Sequence, residues 1–446
     1  MEILAQKIRK QVHIRIIGDY DVDGVTSSHL FLTALRRVGA KVDVVIPHRI
    51  QDGYGLSLHL LQQAKEDGVD TILTCDNGIA AIDEIAWAKA QKMTVLVTDH
   101  HAVPFEEHEG RRTEKKSLAD AVVNPHQQDC GYPYKELCGA GVAWNVIRVL
   151  YENYDMDKRE AEDLLDFVAM ATVCDVMSLT GENRILVKEG LKRIRHTKNI
   201  GLQALMQACN VQPENISAYH FGYVLGPCVN ATGRLDTARH ALRLFETGQE
   251  TEAEEIARDL VDLNQERKEL TLQGVEMAKK LCEEGGYEND PVLVLFLPDV
   301  HESIAGLIAG RIREMYNRPV FVLTRGEEGV KGSGRSTENY SMYENMCGCA
   351  ELFTKFGGHP MAAGLSLPEE NVEKFRRKIN ENCPLTVEEV CPDIHIDMAM
   401  PVGYASTELV HQFALLEPFG KDNPSPLFAD RNLSLIHISE PTRLRR

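Results

Sequence analysis

The chain has no apolar run approaching the roughly 20 residues that a membrane-spanning helix needs. Its opening, Met1-Glu2-Ile3-Leu4-Ala5-Gln6-Lys7, is mixed in polarity and lacks the apolar core of a secretory signal. Both absences predict a cytoplasmic protein without membrane contact. A Cys-x-x-Cys pair is also missing. The 11 cysteines lie at scattered spacings, as reduced thiols do in that compartment. The tightest pair, Cys347-Gly348-Cys349, falls short of the four ligands of a structural zinc. Nor is there a surplus of positive charge. With 49 Lys and Arg against 67 Asp and Glu, the formal net charge is −18. That argues against a generic nucleic-acid binder, although a local basic patch can still serve a strand.

Acid is instead concentrated where strand patterns end. Asp19-Tyr20-Asp21-Val22-Asp23-Gly24 directly follows the apolar run Val12–Ile17. Alternating carboxylates there are expected to splay from a loop, and only a cation offsets that much crowded charge. Thr71–Thr74 runs into Cys75-Asp76-Asn77-Gly78, and Thr94–Thr98 into Asp99-His100-His101. Three strands ending in carboxylate or imidazole describe one divalent-metal site at the mouth of a sheet. Asp and His without thiolate suit Mn²⁺ or Mg²⁺. So many carboxylates can hold two ions roughly 3.5–4 Å apart, an arrangement that hydrolyses phosphate esters. Asp175 is either a further ligand or the cap of the apolar helix before it.

The wider pattern predicts an α/β protein. Strands at 12–17, 41–46, 71–74, 93–98 and 119–123 alternate with helices at 24–38, 56–66 and 82–90, which implies βαβ units and a mostly parallel sheet. Ligands of such sheets bind beyond the carboxyl ends of the strands, where the Asp and His clusters fall. From Ala140 to about Phe245 the pattern is helical. Residues 250–284 read as one long charged helix, either a connecting rod or a bundle member. A second α/β segment follows, with strands at 292–297 and 320–323, a helix at 304–316, and glycine turns at Gly332–Gly334 and Gly357-Gly358. Beyond Cys391 a third unit starts with a strand at Ile394–Asp397. The expected domains are 1–248, a connecting helix 249–289, 290–385, a partial OB-like β unit 390–433, and a disordered or foreign tail 434–446.

Asp21-x-Asp23-Gly24, Asp76-Asn77-Gly78, Asp99-His100-His101 and Asp175 together resemble, in order and spacing, the four motifs of the DHH phosphoesterase superfamily. Asn230-Ala231-Thr232-Gly233-Arg234, Gly332-Ser333-Gly334-Arg335-Ser336 and Gly357-Gly358-His359-Pro360 resemble its DHH-associated domain. With Leu416-Glu417-Pro418-Phe419-Gly420, the likeness is to the RecJ branch, single-strand-specific 5′→3′ DNA exonucleases of repair and recombination. The resemblance covers about residues 10–433. It implies metal ligands at Asp19, Asp21, Asp23, Asp76, His100 and Asp175, with Asp76 bridging two Mn²⁺ or Mg²⁺ ions. It further implies His101 at the scissile phosphate, Asp99 orienting the histidines, and Arg234, Arg335, Ser336, Gly357, Gly358 and His359 on the strand's phosphates. Arginine's planar fork and close glycine amides suit phosphate. The histidine that many relatives place four residues before Asp21 is Ile17 here. His301-Glu302-Ser303 lacks the family's following glycine and reads as a helix cap. His13, His29, His59 and His220 read as surface or satisfied core residues.

The implied partners are single-stranded DNA and, among proteins, a single-strand-binding protein or a helicase. A phosphodiesterase for short oligonucleotides or cyclic dinucleotides is the alternative, disfavoured by the unit after Cys391. A family-II pyrophosphatase would not need the helical annex. A metal-free DNA-binding scaffold would not need the acidic constellation.

Overall fold

The computed structural model describes residues 1–431 apart from 50–51, 109–110, 288–289, 327–328 and 386–393. The residues predicted as a tail, 434–446, lie outside these. Two compact units result: Met1–Asn264 with the chain from Ile396 onward, and Gln265–His395.

In the first unit β1 (Ile14–Ile17), β2 (Val42–Val45), β3 (Thr71–Cys75) and β4 (Thr94–Thr98) are four of the five predicted strands. A separate antiparallel pair, β5 (Phe105–His108) and β6 (Arg111–Glu114), precedes β7 (Ala121–Val123). The sheet is wholly parallel in the order β2-β1-β3-β4-β7. β1 and β3 are buried at every position, including Arg15 of β1, whose guanidinium pairs with Asp43 and Asp67. Helices Val22–Arg37, Leu58–Glu66 and Ile82–Ala90 connect the strands. Helices Gly139–Asn153 and Leu165–Cys174 pack on Val22–Arg37, and further helices carry the fold to Glu246.

The long helix is present as Glu250–Glu284 and leads from the first unit into the second. There β8 (Leu293–Phe296), helix Glu302–Tyr316, β9 (Val320–Gly326), β10 (Gly329–Arg335), β11 (Lys355–His359) and β12 (Ala362–Leu367) form a sheet in the order β11-β12-β10-β9-β8. Only β8 and β9 are parallel. The glycines expected in turns are therefore inside strands. A Cβ on Gly332 would lie 2.4 Å from Leu323 Cδ2, and one on Gly334 would lie 2.5 Å from Met342 Sδ. Glycine there admits large neighbours to the sheet surface rather than bending the chain.

The strand expected at Ile394–Asp397 is not formed. Ile394 and Ile396 are exposed, and pairing begins at β13 (Met398–Ala399) against β14 (Phe428–Ala429). Apolar alternation without a partner strand does not make a sheet. Among the described residues no helix is long and apolar enough to cross a membrane.

Candidate metal centre and phosphate-binding strands

β1, β3 and β4 are neighbours in register, so the residues just beyond their carboxyl ends converge. Of the three aspartates after β1, Asp19 lies in the expected loop, but Asp21 and Asp23 belong to the helix that follows. Asp21 is the N-cap of helix Val22–Arg37, accepting the Gly24 amide at 3.0 Å, and Asp23 lies in its first turn. Aspartate is a favoured cap, and the positive helix end favours acid in the first turn. The turn closes tightly: a Cβ on Gly24 would lie 2.5 Å from the Asp19 backbone.

Asp23 is buried, and amides of a second helix hold both its oxygens. Gly139 N donates to Oδ2 at 2.6 Å and Ala140 N to Oδ1 at 2.7 Å. Asp76 follows β3 at φ 61°, the left-handed region that Asp and Asn tolerate best among non-glycine residues. Asp99, buried after β4, accepts the amides of Ile79, His100 and His101 at 2.9, 2.7 and 3.0 Å. It also meets His101 Nδ1 at 2.8 Å. Asp99 thus orients the ring of His101 and reaches His100 only through its main chain.

Three sets of ligand atoms each lie within 4.8 Å: Asp19, Asp21 and Asp76; Asp76, His100 and His101; Asp23, His100 and Asp175. Asp76 belongs to two sets and His100 to two, so the sets overlap. Asp175 is also the C-cap residue of helix Leu165–Cys174, so both expectations for it describe one position.

The electrostatics fit a hard divalent cation. Asp19 Oδ1, Asp76 Oδ1 and His100 Nε2 are buried without a hydrogen-bond partner. His100 Nε2 approaches Asp76 Oδ1 to 3.0 Å, but not in hydrogen-bond geometry. Burial, then carboxylate crowding, pushes Asp19, Asp76 and Asp175 well above the usual carboxylate range. Burial also lowers His100, which keeps its imidazole neutral as a ligand must be. Unpartnered buried acceptors are costly unless a cation meets them. His101 differs. Burial would lower it, but the hydrogen bond to Asp99 raises it to about 9. Burial likewise opposes ionisation of Asp99, and the His101 contact holds it below the usual range.

Several participants escaped sequence reading. The Tyr54 hydroxyl lies 3.0 Å from His101 Nε2 and donates to the Asp76 carbonyl at 3.1 Å. Its only signal was the flanking pair Gly53 and Gly55, both at positive φ. Gly139 and Ala140 carry no chemistry in their side chains, and their role comes from a helix start in Leu137-Cys138-Gly139-Ala140-Gly141. Asn230 belongs to a stretch already singled out, but its role was not visible there: its Oδ1 accepts the Val22 amide at 3.1 Å. Ile17 is a core residue of β1.

The stretch Asn230–Arg234, expected in the DHH-associated domain, lies instead in the first unit, where Arg234 occupies the last turn of helix Gly226–Leu235. The preceding Gly233 sits so close that a Cβ would lie 2.4 Å from the Tyr20 carbonyl oxygen, which puts this turn beside the Asp19–Asp21 segment.

In the second unit the register places Arg335, Ala362 and His359 abreast on β10, β12 and β11, and Ser333, Gly364 and Gly357 in the next row on the same face. Gly306 in helix Glu302–Tyr316 admits the guanidinium: a Cβ there would lie 2.9 Å from Arg335 Nη2. His359 is exposed, and Gly358 has φ 153°. Ser336 is buried, and its hydroxyl donates to the Tyr340 carbonyl at 2.5 Å. His301 caps helix Glu302–Tyr316 and accepts the Ser303 amide. Of the other histidines, His13 and His59 meet Asp43 and Asp52, and His220 completes a capping box with Ser217. His29 is buried but not satisfied, since its Nδ1 has no partner.

Comparison with known proteins agrees with this geometry. Residues 13–172 match the DHH family N-terminal domain, 289–383 the DHHA1 domain and 396–442 the RecJ OB domain. The chain is 37% identical to the single-stranded-DNA-specific exonuclease RecJ of Haemophilus influenzae, over 85% of this chain and 68% of that protein. It is 35% identical to that of Escherichia coli, over 96% of this chain and 76% of the relative. For the Bacillus subtilis relative, 34% identical, it spans about half the length, 52%. The crystal structure of Thermus thermophilus RecJ with Mn²⁺ superposes with a TM-score of 0.81 at 30% identity, covering 96% of this chain and 60% of that one. A second structure, exonuclease RecJ bound to manganese, gives 0.73 at 31% identity over 87% and 94%.

Proposed function

The chain belongs to the RecJ family, and on that premise we propose that it is a metal-dependent exonuclease that releases 5′-nucleotides from the 5′ end of single-stranded DNA. The observation that carries this reading is the overlap of ligand sets on Asp76 and His100, with buried oxygens and a buried ring nitrogen lacking partners. Asp19, Asp21, Asp23, Asp76, His100 and Asp175 are the residues proposed to hold Mn²⁺ or Mg²⁺. Divalent ions at such a site supply Lewis acidity and an activated water for phosphodiester hydrolysis.

The protein's own groups do the rest. Asp23 is fixed by two helix-terminal amides before any cation arrives. Asp99 fixes the His101 ring through Nδ1, which leaves Nε2 beside the Tyr54 hydroxyl on the side where a phosphate oxygen is proposed to sit. On the second unit, Arg335 and His359 flank a shallow row of small residues at which a strand's phosphates are proposed to sit. A cytoplasmic location, and a single-strand-binding protein or helicase that hands over the strand, belong to the same proposal.

The test is cleavage of end-labelled single-stranded and duplex DNA with Mn²⁺, with Mg²⁺ and in chelator. Mononucleotide release from the 5′ end of single strands, abolished by chelator, is expected. Cleavage confined to dinucleotides, or full activity in chelator, would overturn the reading.

A further inference from the structure

The helical run that ends at Leu235 begins with two tyrosines that have no part in the metal centre. Tyr219 and Tyr223 are 62% and 71% exposed. They stack on each other, with centroids 5.1 Å apart and planes at 22°. Tyr223 lies within a π turn, Phe221–Leu225, and Tyr219 just before it; such turns are frequent at functional sites. This turn is packed against the metal centre's own support. Cys174 Sγ donates to the Phe221 carbonyl at 3.3 Å, and a Cβ on Gly226 would lie 2.3 Å from that sulfur. Cys174 immediately precedes Asp175. The exposed rings therefore belong to the segment that covers the helix end bearing Asp175.

Beside Tyr219 is a groove of about 340 Å³ lined by Lys188, Lys192 and Arg195, with apolar Leu191 between the cations. Glu417 also lines it, and Lys192 pairs with Glu189 at 2.6 Å. Lys188 and Arg195 form no ion pair among the described residues. In a chain of net charge −18, this is a local concentration of positive charge. An acidic peptide would use the cations but not the stacked rings. Single-stranded nucleic acid uses both, with bases on aromatic faces and phosphates on basic side chains.

We propose that Tyr219 and Tyr223 form a base-stacking step for the single-stranded DNA substrate, with Lys188, Lys192 and Arg195 holding the adjoining phosphates. The proposal rests on the exonuclease reading above. It is tested by anisotropy with a labelled strand of about 16 nucleotides, in an Asp76→Asn background so that the probe is not cut. The pair Tyr219→Ala and Tyr223→Ala is compared with the pair Tyr219→Phe and Tyr223→Phe. A second strand carries abasic sites throughout. The alanine pair should lose roughly tenfold in affinity for each base unstacked, and the phenylalanine pair should keep parental affinity. On the abasic strand, parent and alanine pair should bind alike. The rings are exposed, so melting temperatures should match and fold loss is separable. If the parent binds no single strand of any length, the exonuclease reading fails and the step with it. If the parent binds and the alanine pair binds equally well, only the step is overturned, leaving the groove to a partner such as an acidic peptide.

Discussion

Replacing Gly139 with alanine adds one methyl group where two of the proposed ligands meet. The new Cβ would lie 2.7 Å from Asp76 Cβ, and 3.0 Å from both Asp76 Cα and Asp23 Oδ2. Carbon pairs are comfortable at about 3.5–4.0 Å, so something must move by roughly 0.5–1 Å. Neither neighbour yields cheaply. Asp76 is met at its backbone, and the Asp23 carboxylate is gripped by two amides, one of them that of Gly139 itself. Overpacking of this kind costs about 1–3 kcal/mol, and a misplacement near 1 Å in a catalytic constellation costs on the order of 100-fold in rate. Gly139 is outside the left-handed region, so the penalty is steric and not conformational. Gly141→Ala in the same helix is the control, because its nearest obstacle is the far end of a side chain, Leu137 Cδ2 at 3.3 Å. Calorimetry with Mn²⁺ and turnover on single-stranded DNA should show both properties reduced in Gly139→Ala and near parental in Gly141→Ala. Parental metal affinity and turnover in Gly139→Ala would refute the claim that Asp23 and Asp76 act from these positions.

Three further outcomes are expected. Asp76→Asn, a neutral isostere that tolerates the left-handed backbone, should abolish turnover and reduce the number of Mn²⁺ binding events, while the apo variant melts no lower than the parent at pH 7; retained turnover would end the shared-ligand mechanism. Arg335→Ala and His359→Ala should each weaken binding of single-stranded DNA by about 1.5–3 kcal/mol with Mn²⁺ binding unchanged, and equal affinity in both variants would reduce these strands to a structural role. Burial lowers His29 to about 4, so the fold loses stability as pH falls from the unfolded value of 6.5 towards 4, by up to about 3 kcal/mol. Above pH 6.5 this contribution is fully present, and His29→Leu should flatten the acid limb of a pH series of thermal melts; an unaltered limb would show that another group titrates there.

The parallel sheet was legible because its strands are apolar runs bounded by glycine and acid, and the long helix because its charged pattern is uninterrupted from Glu250 to Glu284. The acidic candidates of the metal centre were legible for a related reason: buried carboxylates have few structural uses. Less visible was how main chain supports them. Gly139, Ala140 and Asn230 come from 116 to 208 residues away and act through an amide or a single amide oxygen. The glycines of β10 misled because glycine signals a turn and a close approach of side chains to a strand equally well, and only the neighbours Leu323 and Met342 decide between them. At Asp21 the sequence hid the helix cap, since capping a helix and binding a cation call for the same side chain.

The order β1-β3-β4 turns the sheet into a ruler. Adjacent strands stand about 4.8 Å apart whatever their sequence, so the chain ends that lead to Asp19, Asp76 and His100 leave the sheet at a fixed spacing. The starting points of Asp19, Asp76 and His100 are thus set by main-chain pairing, which mutation hardly alters, whereas Asp21, Asp23 and Asp175 are set by helix ends. Exchanging Asp23 or Asp76 for glutamate would keep charge and ligand type but add a methylene, shifting an oxygen by about a bond length against a fixed frame. Adaptation to a different cation is accordingly more accessible through ligand type than through reach, and lengthening a connection beyond its ligand-bearing residues should leave the spacing of Asp76 and His100 unchanged.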